Sequence, residues 1–245
     1  RRQVGDFYAS AMNTEILEKK KFAPIEEDLK SIAALESSEE LVKLVAEFHK
    51  KGVGSFFGSG VDADAKDSSI YAFQLGQGGL SLPDRDYYLK DSFAKQKQAY
   101  LEHVEKMFVL LGEPQETAKK DAKTVLDVET DMAQASRSRV DLRDPIKNYN
   151  KVKTADLISE NKDFPWTIYL KERGIENISY AVVGQPEYLT ALNKLIKSRN
   201  LSDLKTYLRW KVLHNAAPCL HEAAESETFN FFGKTLSGQE KQEPR

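Results

Sequence analysis

The sequence predicts a mainly α protein, an elongated multi-helix domain with one or two short strands. Apolar residues recur at helical spacing along most of the 245 residues. Most of these runs open or close on a capping residue, a proline or a glycine. Only Ile175–Val183 is β-branched and extended enough to read as a strand, with Ile70–Leu75 a shorter strand-like run. With 40% hydrophobic and 30% charged residues, the chain is long enough to bury a sizeable core.

The elements follow in order. Val4–Met12 sets Phe7 with Ala11 and Tyr8 with Met12 at helical spacing, and a second helical stretch runs through Ile16 and Leu17 into Lys19-Lys20-Lys21. Pro24 opens the next helix, which carries Ile25, Leu29, Ile32 and Leu35 on one face. Glu26, Glu27 and Asp28 lie in its first turn, where acids suit the positive end of the helix dipole. Ser37 or Ser38 caps a helix with Leu41, Leu44, Val45 and Phe48 as its stripe, closed by Lys50-Lys51-Gly52. His49 sits beside that stripe, facing the negative helix end or solvent. Ser59–Ser69 reads as a polar loop. Its Asp62, Asp64 and Asp67 lack the glycine and terminal glutamate of a calcium loop.

Phe93–Leu111 is a long helix with Tyr100, Val104, Met107, Phe108 and Leu111 inward, ended by Gly112 and Pro114. His103, among Glu102, Glu105 and Lys106, reads as solvated. Glu116–Arg139 turns Ala118, Val125, Val128, Met132 and Ala135 inward; its charged residues, Glu129 and Asp131 included, read as a solvated face. A turn at Arg143-Asp144-Pro145 precedes a helix capped by Thr154, and Trp166, Tyr169 and Leu170 form a core face. After the strand, Pro186 starts a helix through Leu192, Leu195 and Ile196. Ser202 caps the last long one, with Leu204, Tyr207, Leu208, Trp210 and Val212, which Pro218 kinks or breaks.

Between these helices lies Gly76-Gln77-Gly78-Gly79-Leu80-Ser81-Leu82-Pro83-Asp84-Arg85-Asp86-Tyr87-Tyr88-Leu89. Three glycines in four positions make it a shaped loop. Leu80 and Leu82 alternate with Ser81, so a short extended piece presses two leucines onto a core, and Pro83 holds Leu82 extended. By composition alone it is a tight turn before a helix.

The phrase Gly-Leu-x-Leu-Pro-x-Arg-Asp-Tyr-Tyr at 79–88 resembles a signature of the non-catalytic helical region of neprilysin-family zinc metallopeptidases. Other phrases resemble that region in the same order. They are Phe7-Tyr8 with Met12 ahead of Pro24-Ile25, Arg143-Asp144-Pro145 ahead of Tyr149-Asn150-Lys151, Phe164-Pro165-Trp166, and the strand running into Pro186-Glu187-Tyr188-Leu189. Phe229–Gly238 and the terminal Glu243-Pro244-Arg245 close the series. The resemblance implies one helical lid domain over residues 1–245 that limits peptide access to an internal cavity. It also implies a zinc ion in the parent protein and an extracytoplasmic place for it, periplasmic, secreted or membrane-anchored. Gly79, Leu82, Pro83, Arg85, Asp86, Tyr87 and Tyr88 are the loop motif, with Arg85 and Asp86 expected to make salt bridges or caps.

The chemistry of that family is not found in this stretch. Its zinc is bound by two histidines of a helical His-Glu-x-x-His and a later glutamate. The one His-Glu here, His221-Glu222, has Glu225 where the second histidine belongs. Asn215-Ala216 resembles the family's substrate-binding Asn-Ala phrase but continues Ala217-Pro218, ahead of any catalytic region. Cys219 is the only cysteine, so neither an intrachain disulfide nor a cysteine zinc site is open to it. The expectation is a piece of a longer peptidase, with no catalytic or metal residue of its own, bearing on peptide substrates and a missing catalytic domain. A stand-alone helical binding or scaffold protein, and a metalloenzyme built on His221 and Glu225, are the alternatives. A net charge of -2 gives no case for nucleic acid or an anionic membrane, and no apolar run reaches membrane-spanning length.

Overall fold

Residues 2–242 are described by the computed structural model; Arg1 and the phrase Glu243-Pro244-Arg245 lie outside the described residues. The N-terminal helices are α1 (Arg2–Met12), α2 (Thr14–Lys20), α3 (Glu26–Ala33) and α4 (Ser38–Lys50). A hairpin of β1 (Phe57–Asp64) and β2 (Asp67–Gln77) follows, then α5 (Asp86–Leu89), α6 (Ala94–Leu110) and α7 (Gln115–Ala135). The second half holds β3 (Asn150–Lys153), α8 (Thr154–Glu160), α9 (Trp166–Glu172) and β4 (Tyr180–Val183). It closes with α10 (Pro186–Ser198), α11 (Leu201–Ala216), α12 (Glu222–Thr228) and a π-helical stretch, Phe229–Leu236. The mainly α class holds, with four short strands in one sheet of order β1-β2-β4-β3.

β1 and β2 are antiparallel, β2 and β4 parallel, β3 and β4 antiparallel. The hairpin replaces the polar loop expected at Ser59–Ser69. Ser59, Gly60 and Asp62 hide the strand alternation, because most of this ribbon projects beyond the core and buries little. The strand read at Ile175–Val183 narrows to Tyr180–Val183, whose last three residues are buried.

Helix α7 is the axis of the core. Ala118, Ala122, Val125, Val128 and Met132 are buried on it, against Tyr100, Val104 and Phe108 of α6 and Leu204, Leu208 and Trp210 of α11. Ser37 Oγ accepts from Glu40 N at 3.2 Å, capping α4. The cap of α11 is Asn200, whose Oδ1 accepts from Asp203 N at 2.8 Å, and not Ser202. Thr154 does not cap α8; its Oγ1 donates to Ile178 O at 2.7 Å and ties the helix start to the approach of β4. At Pro218 α11 has already ended and passes into a 3-10 turn, Ala217–Cys219. By contrast α1 buries no residue, and Phe7 stands 78% exposed.

Candidate functional site

The loop after β2 lies directly on the backbone that enters β1. A Cβ on Gly78 would stand 2.7 Å from Gly58 N, and one on Gly79 would stand 2.7 Å from both Phe56 N and Tyr207 Oη. Gly79 also has φ +80, so only glycine fits the contact and the conformation together. Across from it, Phe56 holds φ 52, a region that an aromatic residue rarely takes. Both of its peptide groups are clamped. Phe56 N donates to Tyr207 Oη at 3.0 Å, and Phe56 O accepts from Tyr188 Oη at 2.5 Å. The same hydroxyls reach the glycines: Tyr207 Oη donates to Gly79 O at 2.8 Å, and Tyr188 Oη lies 2.8 Å from Gly78 O.

One step along, Ser81 N and Leu82 N both donate to Tyr88 Oη, at 3.1 and 2.9 Å. Tyr88 Oη in turn donates to Glu129 Oε2 at 2.8 Å, and Tyr100 Oη donates to the same oxygen at 2.7 Å. Ser81 Oγ donates to Glu129 Oε1 at 2.6 Å and accepts from Trp210 Nε1 and Lys211 Nζ at 3.0 and 3.2 Å. Glu129 is therefore the centre of a buried network, 0% exposed, and the solvated face assigned to it is corrected. Burial pushes its carboxyl up, while Lys211 and three hydroxyls pull it back. Burial pushes the Lys211 ammonium down, with Glu129 opposing. Burial, reinforced by the Glu129 charge, raises Tyr88 and Tyr100, so both remain proton donors. A buried charge pair is tolerated when its hydrogen bonds are filled in this way.

The other motif residues fix the helix entrance. Leu82 is buried and Leu80 packs on the core beside it. Arg85 Nη1 donates to Ser136 O at 2.5 Å, Asp86 pairs with Lys90 at 2.7 Å, and Asp84 Oδ1 accepts from Asp86 N at 2.8 Å. Tyr87 stacks on Phe93 with centroids 4.2 Å apart, and Pro83 is exposed. Sequence reasoning missed Arg137, which braces the far side. It forks onto the Glu187 carboxylate and reaches Lys147 O, Asn148 Oδ1 and Gly184 O at 2.9, 3.1 and 3.1 Å. The guanidinium holds Glu187 below the usual carboxylate range.

Three of the histidines pack within the fold. His49 Nδ1 lies 2.7 Å from Tyr169 Oη and its Nε2 lies 3.0 Å from Ser55 O, while Ser59 Oγ lies 2.6 Å from Tyr169 Oη. Burial pushes the ring down to about 4. His103 is 2% exposed, not solvated: its Nδ1 lies 3.1 Å from Glu227 Oε1 and its ring stacks on Phe231. His221 packs edge-on against Phe22. Asp64, expected in a polar loop, is buried at the end of β1 and accepts from Tyr149 and Tyr180 at 2.8 and 2.9 Å. Among the described residues no three His, Cys, Asp or Glu side chains are grouped to hold a metal ion.

This arrangement of collinear phrases, braced loop and helix order has a counterpart among known proteins. The sequence model for the N-terminal part of peptidase family M13 matches residues 1–245. The chain belongs to peptidase family M13. An endothelin-converting enzyme homolog of Locusta migratoria is 31% identical over 205 residues, 78% of this chain and 28% of its own length. Human endothelin-converting enzyme 1 is 26% identical over 235 residues, 90% of this chain and 30% of its own. The zinc metalloprotease ZMP1 of Mycobacterium tuberculosis, in its open state, superposes with a TM-score of 0.94 at 32% identity, over 98% of this chain and 38% of that one. PepO of Lactobacillus rhamnosis shares the fold, with a TM-score of 0.79 at 17% identity over 97% of this chain. The M13 chain described here thus spans less than a third of the length of those two curated relatives.

Proposed function

We propose that residues 1–245 are the non-catalytic helical lid of an M13 zinc metalloendopeptidase that hydrolyses oligopeptides. The observation that carries this reading is the match of the whole chain to the family's N-terminal part, with backbone agreement at a TM-score of 0.94 to a zinc metalloprotease. The lid acts by shape. It restricts access to an internal cavity, and closing over bound peptide orients the substrate and limits water. Gly79, Leu82, Pro83, Arg85, Asp86, Tyr87 and Tyr88 belong to a loop rigid enough to shape the face turned to the catalytic part. The zinc ion and its ligands belong to that part. An extracytoplasmic place goes with this reading, and among the described residues no helix is long and apolar enough to cross a membrane.

The test sets the 245-residue chain beside the full-length protein and measures zinc by atomic absorption and cleavage of short peptides. The expected result is zinc and cleavage in the longer protein only. One zinc per chain with cleavage by the 245-residue chain would overturn the reading and move attention to His221.

A further inference from the structure

β1 is an edge strand: β2 pairs with one side, and no described strand lies on the other. Which backbone groups face outward follows from the bonding of β2. Leu75 is turned toward β4, because it is in register with Val183 and its carbonyl accepts from Gly184 N at 2.7 Å. Successive residues of a strand alternate between one neighbour and the other. Gln74 and Gly76 therefore bond to β1, through their partners Gly60 and Gly58. Ser59 and Val61 then direct both N–H and C=O away from β2. The flanking amides are already used, Phe57 N by Ser55 O at 2.5 Å and Ala63 N by Asp62 Oδ1 at 2.8 Å. Two outward peptide units remain, about 7 Å apart, which is the repeat an added strand bonds to.

The flanks of this edge suit an incoming chain. On one face Gly58 and Gly60 leave room, since a Cβ on Gly60 would meet nothing within 4 Å. On the other, Val61 is 57% exposed and Tyr71, opposite Ala63, is 79% exposed. Protein edges are ordinarily guarded by lysine, proline or an inward charge. Residues 57–64 contain neither lysine nor proline; Asp62 is exposed, and Asp64 is turned in to Tyr149 and Tyr180.

We propose that the outer edge of β1, at Ser59 and Val61, takes up an extended peptide as an added strand, and that this peptide is substrate of the parent peptidase. The proposal rests on the peptidase reading above. Two open peptide units engage a segment of about three residues, far short of the roughly 1,200 Å² that a stable protein–protein interface buries. A peptide of a few residues needs no such area when a second part of the enzyme holds its remainder. Main-chain bonds make the grip tolerant of sequence, while the peptide side chain over Gly60 is free to be large and its neighbour beside Val61 is apolar.

The test uses the full-length protein carrying this chain. Val61→Pro deletes one outward N–H and leaves the bonds to β2, which are made by Gly60 and Asp62. Val61→Ala is the control. On an oligopeptide substrate, Val61→Pro is expected to lower kcat/KM about fivefold, chiefly through KM, as the loss of one backbone hydrogen bond requires, and Val61→Ala by less than about twofold. In the unaltered protein, a peptide whose scissile amide is replaced by CH₂–NH is expected to slow hydrogen exchange at Ser59 and Val61. That second measurement needs no variant, so misfolding of Val61→Pro does not shield the proposal. Equal kinetics of the two variants, with no slowing at 57–63, overturns this inference and leaves the peptidase reading intact. A dimer that protects 57–63 without peptide assigns the edge to a second copy and also overturns it. Absence of any peptide cleavage by the unaltered protein sinks the peptidase reading first.

Discussion

At its C-terminal end β2 runs into a loop whose backbone is bonded by the buried hydroxyls of Tyr88, Tyr188 and Tyr207, whereas at its N-terminal end it turns back to β1 with Val61, Ile70 and Tyr71 in solvent. Both regions carry glycine and serine, but the first adds Leu80 and Leu82 and the second Asp62, Asp64 and Asp67. The difference lies in where their polar groups find partners. Around Gly78–Leu82 the helices supply phenols and a carboxylate from inside, and the loop is fixed as firmly as the core. Around Ser59–Tyr71 the ribbon leaves the body, and its edge retains bonding capacity of its own. A glycine-rich loop is thus rigid, and a regular strand is the open element.

Breaking the braced end should cost most. Glu129→Leu leaves Lys211 buried without its counter-charge and three hydroxyls without their acceptor. The expected loss is about 3–5 kcal/mol in urea unfolding, recovered in part when Lys211→Met is added to the same chain, since the three hydroxyls still lack their acceptor. A double variant as unstable as the single would show that the two charges are not coupled.

Acid should act next, through His49. Its ordinary value is 6.5 and burial sets it at about 4, so the native state refuses a proton that the unfolded chain accepts. Stability is then full above pH 6.5 and falls as pH drops toward about 4, by up to roughly 3 kcal/mol from this group. His103, lowered by burial too, adds to the same slope. His49→Gln should flatten the profile measured between pH 7 and pH 4; a slope unchanged from the parent chain contradicts a buried neutral ring.

The smallest effect belongs to the open end. Tyr71→Ser should change unfolding free energy by less than about 0.5 kcal/mol, as for a surface position. A larger loss would mean that the hairpin tip packs on something in the native protein.

The braced loop was partly legible in the sequence. Gly79 and Pro83 declared a shaped turn, Leu82 a buried anchor, and the Tyr-Tyr pair an aromatic helix entrance. Its clamps were not, because Tyr188 and Tyr207 lie more than 100 residues away in sequence. Glu129 was misplaced by its charge. It stands four residues after Val125 and three before Met132, and that spacing puts it on the inward face. His103 is the same case, three residues after Tyr100 and four before Met107, with charged neighbours that face the other way. Of the hairpin, Ile70–Leu75 was legible as part of β2, and β1 was missed for the opposite reason: a strand that buries little has no apolar alternation to read. Arg137 was not legible as a brace, since its acceptors come from residues 147, 148, 184 and 187.

Residue-resolved amide hydrogen exchange of the native protein tests the contrast most directly. Phe56, Ser81 and Leu82 amides, held by Tyr207 and Tyr88, should exchange only through global unfolding. The Ser59 and Val61 amides, turned out of the sheet edge, should exchange orders of magnitude faster under the same conditions. Rates of similar size at the two ends of β2 would contradict the account, whichever end departed from expectation.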